Sequence, residues 1–159
     1  MARLSPDQFN PHLSFRFRIQ FSSLKDIGFY GKAITLPQID NSPVTVDYGN
    51  VQMKIKGKTK WNDVNLTMIA YERMTIDQLW GYLNDLHQDV VNGSDEYGDT
   101  YKKDILIQLL GPTDNVVGTW TLIGAFIATL NYGELDWSAE ELVQPQMTLA
   151  YDWAKYESN

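Results

Sequence analysis

The sequence contains no cysteine and only two histidines among its 159 residues. Without cysteine the chain has no disulfide bonds, no thiolate metal ligands and no thiol nucleophile. Neither His12 nor His87 lies in a nucleophile or metal-binding motif, and His87 is expected on a helix surface. No apolar run approaches the roughly 18 residues that span a bilayer, and the first residues lack the apolar segment of a signal peptide. We therefore expect a soluble protein without a membrane partner.

Carboxylates are the remaining candidates for chemistry. Asp95, Glu96 and Asp99 carry the oxygen ligands that Ca²⁺ prefers, but their spacing does not match that of an EF-hand, so an exposed turn is favoured. A second acidic cluster has the residue type needed for glycoside hydrolysis, although no other feature indicates a substrate cleft. This second cluster comprises Glu134, Asp136, Glu140 and Glu141. The sequence thus predicts no catalytic residues, no metal site, no cofactor and no enzyme activity.

Charge is distributed unevenly along the chain, whose formal net charge is −7. Residues 1–60 hold nine basic and four acidic side chains, a balance of +5. Residues 61–130 hold three basic and ten acidic side chains, and residues 131–159 hold one and six, giving −7 and −5. Such a sequence either presents surfaces of unlike charge or mixes these charges over one surface after folding.

Apolar and polar residues alternate with the period of a β-strand through most of the chain, and aromatic content is high at 13%. The predicted strands, apart from a hairpin described below, are 13–21, 27–36, 64–71, 103–110, 116–122, 122–130 and 147–153. The almost wholly apolar run 122–130 indicates a strand covered on both faces or a bend in a barrel wall. Between the last two strands, Leu135 and Trp137 are expected to anchor the loop that carries the second acidic cluster. The pattern predicts an antiparallel β-barrel or sandwich of seven or eight strands.

One helix is predicted at 75–92. Thr75 and Gln78 form a capping box at its start, and Asn92-Gly93 provides its end. Apolar residues recur at helical spacing between them, so we expect the helix to lie across the sheet with Trp80 and Leu83 inward. We expect a single domain over 1–159, which begins with an extended arm at 1–12.

A basic hairpin is predicted at 43–61, with its reversal at Gly49-Asn50. Val44, Val46 and Tyr48 are expected to share one face of its first strand, and Val51, Met53 and Ile55 one side of the returning strand. The other side of the returning strand is predicted to carry four ammonium groups in one row, from Lys54, Lys56, Lys58 and Lys60. With Tyr48 and Trp61 nearby, this row is compatible with nucleic-acid binding, with a docking face for an acidic partner, or with a solvated edge that deters pairing. The last two readings are favoured, because the rest of the chain is acidic.

Several segments together resemble the tail tube proteins of contractile bacteriophages. They are FRFRIQF (15–21), KAITLPQI (32–39), WNDVNLTMIAYE (61–72), GAFIATLNYGELDWSAEE (124–141) and MTLAYDW (147–153). The resemblance implies a β-barrel-like subunit with a flanking helix, and six-membered rings that stack into a tube. It also implies that the hairpin reaches the adjacent ring, that a sheath, baseplate and terminator are partners, and that double-stranded DNA passes through the lumen without specific binding.

The resemblance further implies a virion component that is made in the host cytoplasm. The sequence leaves two alternatives to a phage tail tube subunit. The chain is either a tube, baseplate or terminator subunit of a related contractile injection or type VI secretion system, or a monomeric β-barrel module that binds nucleic acid or sugar. In the tail tube reading, the lysines of the hairpin meet the second acidic cluster of the next ring, and apolar hairpin residues supply the affinity.

Overall fold

The computed structural model describes residues 13–21, 31–70, 77, 79–81 and 101–159. The strands in these ranges are β1 (Phe17–Phe21), β2 (Gly31–Ile34), β3 (Gln38–Tyr48), β4 (Val51–Asn62), β5 (Val64–Met68), β6 (Lys103–Leu110), β7 (Val116–Asn131), β8 (Gln146–Ala150) and β9 (Trp153–Ser158). The predicted arm at 1–12 lies outside the described residues, as do His12, His87 and the acidic residues 95, 96 and 99.

Strand β7 is the central strand of the main sheet, because it pairs with three other strands. The main sheet has the order β1-β6-β7-β8-β5-β2, and β9 also pairs with β7. The first part of β7 lies between β6 and β9, whereas its second part pairs with β8. Gly124 marks the change with a φ of +66°, a conformation that glycine adopts without steric cost. The two strands predicted at 116–122 and 122–130 are therefore one bent strand.

The core lies between the two parts of this bent sheet. Alternate residues of β5, β6 and β8 point inward, as their period-2 patterns predict. The inward side chains that are at most 1% exposed include Ile19, Val64, Leu66, Ile105, Ile107, Leu122 and Leu149. Edge strands β1 and β2 approach each other here, since a Cβ added at Gly31 would lie 2.9 Å from Ile19 Cδ1. The predicted mainly antiparallel β fold is confirmed.

Several strand predictions are wrong in their bounds: β2 ends at Ile34 and β5 at Met68, before their predicted ends, and two further strands differ as follows. Strand β1 begins at Phe17, and Leu13 and Phe15 precede it as exposed residues. The alternation predicted to run through Trp153 breaks after β8, where the Asp152 amide donates a hydrogen bond to the Ile123 carbonyl. The chain then returns along β7 as β9. The sequence does not predict β9, because the only buried residue of this strand is one alanine, which gives no alternating apolar pattern.

The described helical residues are 77 and 79–81, inside the predicted helix. Leu79 is 1% exposed, but Trp80 is 54% exposed, so the prediction that Trp80 points inward is wrong. Neighbouring residues on a helix project about 100° apart, and Leu79 occupies the inward direction. Within the described part of the chain, no helix is long and apolar enough to cross a membrane.

Candidate assembly surfaces

Strands β3 and β4 form a two-stranded sheet of their own, here called the basic hairpin (38–62). It reverses at Gly49-Asn50, as the sequence predicts, and Gly49 has a φ of +60°. The strands begin and end outside the predicted bounds, since Gln38 pairs with Asn62. Every residue of β3 and most of β4 are exposed. Because an isolated two-stranded ribbon is marginally stable in water, an arm of this length is suited to being covered by a partner.

The apolar side chains of the basic hairpin lie on one face, here called the apolar face. Directly opposed residues on paired strands share a face, and residues two apart do as well. The pairs on this face are Val44–Ile55, Val46–Met53 and Tyr48–Val51. All six side chains are exposed in the subunit. A contiguous apolar strip of this kind is typical of a protein–protein contact.

The predicted row of four lysines is wrong, because a β-bulge interrupts the hairpin. Pro43 pairs with Lys56 but Asn41 pairs with Thr59, so β4 has one extra residue between these pairs. An extra residue shifts the alternation of the strand. Lys54 and Lys56 consequently lie on the face opposite the apolar one, and Lys58 lies within the bulge. Lys60 pairs with Asp40, which is four residues from Val44 on β3 and shares its face.

Gly57 makes the bulge possible. A Cβ at this position would overlap the carbonyl oxygen of Ser42 on the facing strand. Only glycine allows the two backbones to approach this closely, which is a common reason for glycine in a bulge. One residue type at one position therefore decides which lysines accompany the apolar face.

The base of the basic hairpin is fixed to the main sheet. The Tyr151 hydroxyl donates a 2.7 Å hydrogen bond to the Asn62 carbonyl, and its ring lies 6.1 Å from that of Trp61. Burial and the nearby Asp63 carboxylate raise the pKa of Tyr151, so its hydroxyl stays protonated as a donor at neutral pH. The Asn65 amide also donates to Thr35 Oγ1 at 2.9 Å. These contacts orient the hairpin where it leaves the sheet.

The loop between β7 and β8, here called the acidic loop (132–145), presents apolar side chains to solvent. Leu135 is 89% exposed and Trp137 is fully exposed, so the prediction that they anchor the loop is wrong. The loop is shaped instead by Asp136, whose Oδ1 accepts hydrogen bonds from the Ser138 amide at 2.9 Å and the Ser138 hydroxyl at 2.8 Å. These bonds lower the pKa of Asp136. The turn thereby holds Trp137 outward.

The acidic loop contains all four members of the second acidic cluster, which are exposed. They are Glu134, Asp136, Glu140 and Glu141. The loop encloses an open hollow of about 650 Å³ whose lining includes Leu135, Leu142 and Glu141. Carboxylates and exposed apolar groups thus occur together, as they do at the polar rim and apolar centre of an interface.

The basic hairpin and the acidic loop leave the main sheet at opposite ends. Val64, the residue with which β5 begins, pairs with Leu149 near the end of β8, and the hairpin joins the sheet there. At the other end of β5, Thr67 pairs with Gln146, which also pairs with Asn131 at the end of β7. The acidic loop runs between these last two residues. The strands therefore separate the two exposed surfaces.

Three strands of the main sheet have one partner each within the described residues. They are β1, β2 and β9. An apolar cleft of about 470 Å³ lies between the first two and is lined by Phe15, Phe17, Ile34 and Leu36, among others. Strands with an open edge are templates for pairing with another chain.

No arrangement that could hold a metal ion is found in the part of the chain that the structure describes. The second acidic cluster lies on an open loop, where the hydrogen bonds of the turn lower the pKa of Asp136. Sequence reasoning missed Leu135 and Trp137 as surface residues. The available signal was their position among four carboxylates, because a loop so rich in charge is expected to remain in solvent.

Comparisons with known proteins identify the family of this chain. The family described as T4-like virus tail tube protein gp19 matches residues 13–155. The chain belongs to this family. A protein of Serratia phage KSP90 described as a tail tube protein is 26% identical over 134 residues, covering 77% of this chain and 70% of that protein. The predicted membership of the contractile-tail tube family is confirmed.

Solved structures share the fold of this tail tube family member. A chain of the PVC sheath–tube complex, an extracellular contractile injection system in its extended state, matches with a TM-score of 0.76 and 18% identity, covering 99% of this chain and all of that one. A chain of the PVC sheath/tube terminator also matches with a TM-score of 0.76 and 18% identity, covering 93% of this chain and 97% of that one. Chains of the sheath–tube complex and of the sheath/tube terminator therefore have this fold in common.

Proposed function

We propose that this protein is the inner tube subunit of a contractile bacteriophage tail, which assembles as hexameric rings stacked head-to-tail. The observation that carries the proposal is the separation of two unlike surfaces. The exposed hairpin and the exposed acidic loop lie at opposite ends of β5 and β8. A head-to-tail contact needs two different patches on each subunit, and it propagates indefinitely when it does not close on itself.

The apolar face of the basic hairpin supplies the affinity in this proposal. Fully burying a Val, Ile or Met side chain contributes about 1.5–3 kcal/mol, and the side chains of this face start about half exposed. Five such side chains, together with Tyr48, provide a substantial driving force even after the cost of association. Lys60 lies on the same face opposite Asp40, and the hairpin as a whole carries four lysines against two aspartates, so it favours an acidic partner. This charge preference contributes direction and register more than affinity.

Lateral contacts complete the ring. Strands β1, β2 and β9 each have one partner among the described residues, so neighbouring subunits can extend the sheet through an open edge. Six subunits joined in this way form a continuous inner wall. The number six comes from the resemblance to the contractile tail tubes and is part of the proposal.

The tube is proposed as a conduit for double-stranded DNA during ejection into the host. The chain has a net charge of −7, and a surface of the same sign as the phosphates lets DNA pass without binding specifically. The sheath, baseplate and terminator are the proposed partners in the virion, and synthesis is assigned to the host cytoplasm. The proposed function includes no catalytic activity. Changing Glu140 and Glu141 to Gln should therefore abolish no enzymatic reaction.

A terminator or baseplate subunit, in a phage or another contractile injection system, is the second candidate. The equal TM-score of 0.76 for tube and terminator chains supports it. A terminator caps the tube and does not continue it, so its rings do not grow into filaments. A monomeric module that binds nucleic acid or sugar is the remaining alternative, and it would form no rings.

Size-exclusion chromatography with negative-stain microscopy of the purified protein tests the proposal. We expect six-fold rings and hollow filaments. Val46→Ser with Met53→Ser should leave the melting temperature unchanged, because both side chains are exposed, but should shorten the filaments. Thr45→Ser, on the opposite face, is the matched control and should assemble normally. Isolated rings without filaments favour the terminator, and a monomer at all concentrations contradicts both candidates.

A further inference from the structure

We propose that Leu135 and Trp137 of the acidic loop seat against the apolar face of the basic hairpin in a second copy of this chain. This inference rests on the proposed function, since it requires rings that stack head-to-tail. It identifies the surface of the next subunit on which the hairpin docks. The contact buries the two most exposed apolar side chains of the loop against the exposed apolar strip of the hairpin.

The geometry of the loop supports a docking role for Trp137. Both hydrogen bonds from Ser138 to Asp136 hold the turn, so the indole is presented by a structured segment. Ordering this turn in advance lowers the entropy cost of binding. Tryptophan at the centre of an interface, surrounded by polar groups, is a frequent hot spot.

In the same contact, the hairpin tip is placed against the hollow of the acidic loop. Tyr48 flanks the reversal and lies on the apolar face. The hollow of about 650 Å³ inside the acidic loop is open to solvent, and its mainly polar lining, which includes Glu141 and Gln144, also contains Leu135 and Leu142. The tip can enter this hollow while the rest of the apolar face covers Trp137.

Charge selects the acidic loop as the partner over other apolar surfaces. The loop carries four carboxylates and no basic residue within 134–141, whereas the hairpin carries four lysines against two carboxylates, Asp40 and Asp47, and is net positive. Lys60 shares the apolar face, and Lys58 lies in the bulge beside it. A hairpin set against another hairpin would bring lysines together, and a loop against a loop would bring carboxylates together. The unlike pairing avoids both repulsions.

Directed cross-linking tests this contact, because the chain has no cysteine of its own. Ala139→Cys places a thiol beside Trp137 without removing it. Combined with Val46→Cys on the apolar face, it should give ladders of covalent multimers when assembled tubes meet a short bifunctional thiol reagent. Combined with Thr45→Cys on the opposite face, it is the matched control and should give much weaker ladders. Each single variant should give at most dimers.

A substitution provides the second measurement. Trp137→Ala should leave the melting temperature unchanged, since the side chain is fully exposed, while raising the subunit concentration needed for filament growth on the order of tenfold. Tubes that grow normally with Trp137→Ala, or that cross-link equally through residues 45 and 46, overturn this inference and leave the proposed function intact. A parent protein that forms no rings or filaments overturns the proposed function and the inference together.

Discussion

Two tyrosines show how the surroundings of one hydroxyl decide its contribution to stability. Tyr151 donates its hydroxyl hydrogen to the Asn62 carbonyl at 2.7 Å. The Tyr132 hydroxyl is buried, and no hydrogen-bond partner is found for it among the described residues. Burial raises the pKa of both side chains, but only Tyr151 offsets the loss of water with a hydrogen bond. A buried polar group without a partner is destabilising.

The same substitution should therefore act in opposite directions at these two positions. Tyr151→Phe should lower the free energy of unfolding by about 1 kcal/mol, because a hydrogen bond is lost and the Asn62 carbonyl is left without it. Tyr132→Phe should leave stability unchanged or raise it by up to about 1 kcal/mol, because an unpaired hydroxyl is removed. Urea denaturation of both variants measures the difference. A larger loss for Tyr132→Phe than for Tyr151→Phe would contradict this account.

Adjacent helical residues provide a second comparison at this scale. Leu79 is 1% exposed and belongs to the core, whereas Trp80 is 54% exposed. Leu79→Ala should cost about 2–5 kcal/mol of unfolding free energy, as expected for a buried leucine. Trp80→Ala should cost less than about 1 kcal/mol despite the larger side chain. Thermal denaturation of the two variants distinguishes the orientations, and the reverse order of stability would mean that Trp80 is the inward residue.

At the scale of elements, the β-bulge determines what the basic hairpin presents to a partner. Gly57→Ala would force a Cβ against the Ser42 carbonyl oxygen, so the two strands must separate or shift in register. We expect faster hydrogen exchange of the β3 and β4 amides around the bulge and impaired filament growth, with the core melting almost unchanged. Gly81→Ala is the control, because among the described residues a Cβ there meets no atom within 4 Å outside the backbone of its own helix. Unaltered exchange in the Gly57 variant would show that the hairpin tolerates the added carbon.

Sequence periodicity predicts those elements that have one buried face. Strand β6 is predicted with its observed bounds, and β5 and β8 begin within one residue of theirs, because their inward residues are large and apolar. Periodicity fails where the backbone itself changes the alternation. The bulge at Gly57 moves Lys60 to the face opposite Lys54, and nothing in the spacing of the lysines reveals this shift. The exposed indole of Trp137 was missed for a different reason: the expectation that an aromatic residue packs inward outweighed the four carboxylates around it, which indicate a solvent-exposed loop.

At the scale of the whole molecule, the arrangement of charge and apolar surface favours a polar assembly. The hairpin and the acidic loop lie at the two ends of the same strands, so each subunit has two unlike ends. Most of the contact energy is expected from apolar burial, which salt does not screen. Charge–charge interactions, which salt does screen, are expected to set the register of the contact. The two contributions can therefore be separated by experiment.

Salt and charge reversal should act through Lys60 more than through Lys54. We expect the subunit concentration needed for filament growth to rise as salt increases from about 0.1 M to about 1 M, because the Debye length falls from about 10 Å to about 3 Å. Lys60→Glu, on the apolar face, should weaken growth at low salt and reduce its salt dependence, because it places a carboxylate near those of the acidic loop. Lys54→Glu makes the same charge change on the opposite face and should have the smaller effect. Sedimentation of assembled filaments across the salt series measures both variants against the parent. Equal responses would mean that the acidic loop does not approach the apolar face, since a contact on that face must distinguish these two lysines.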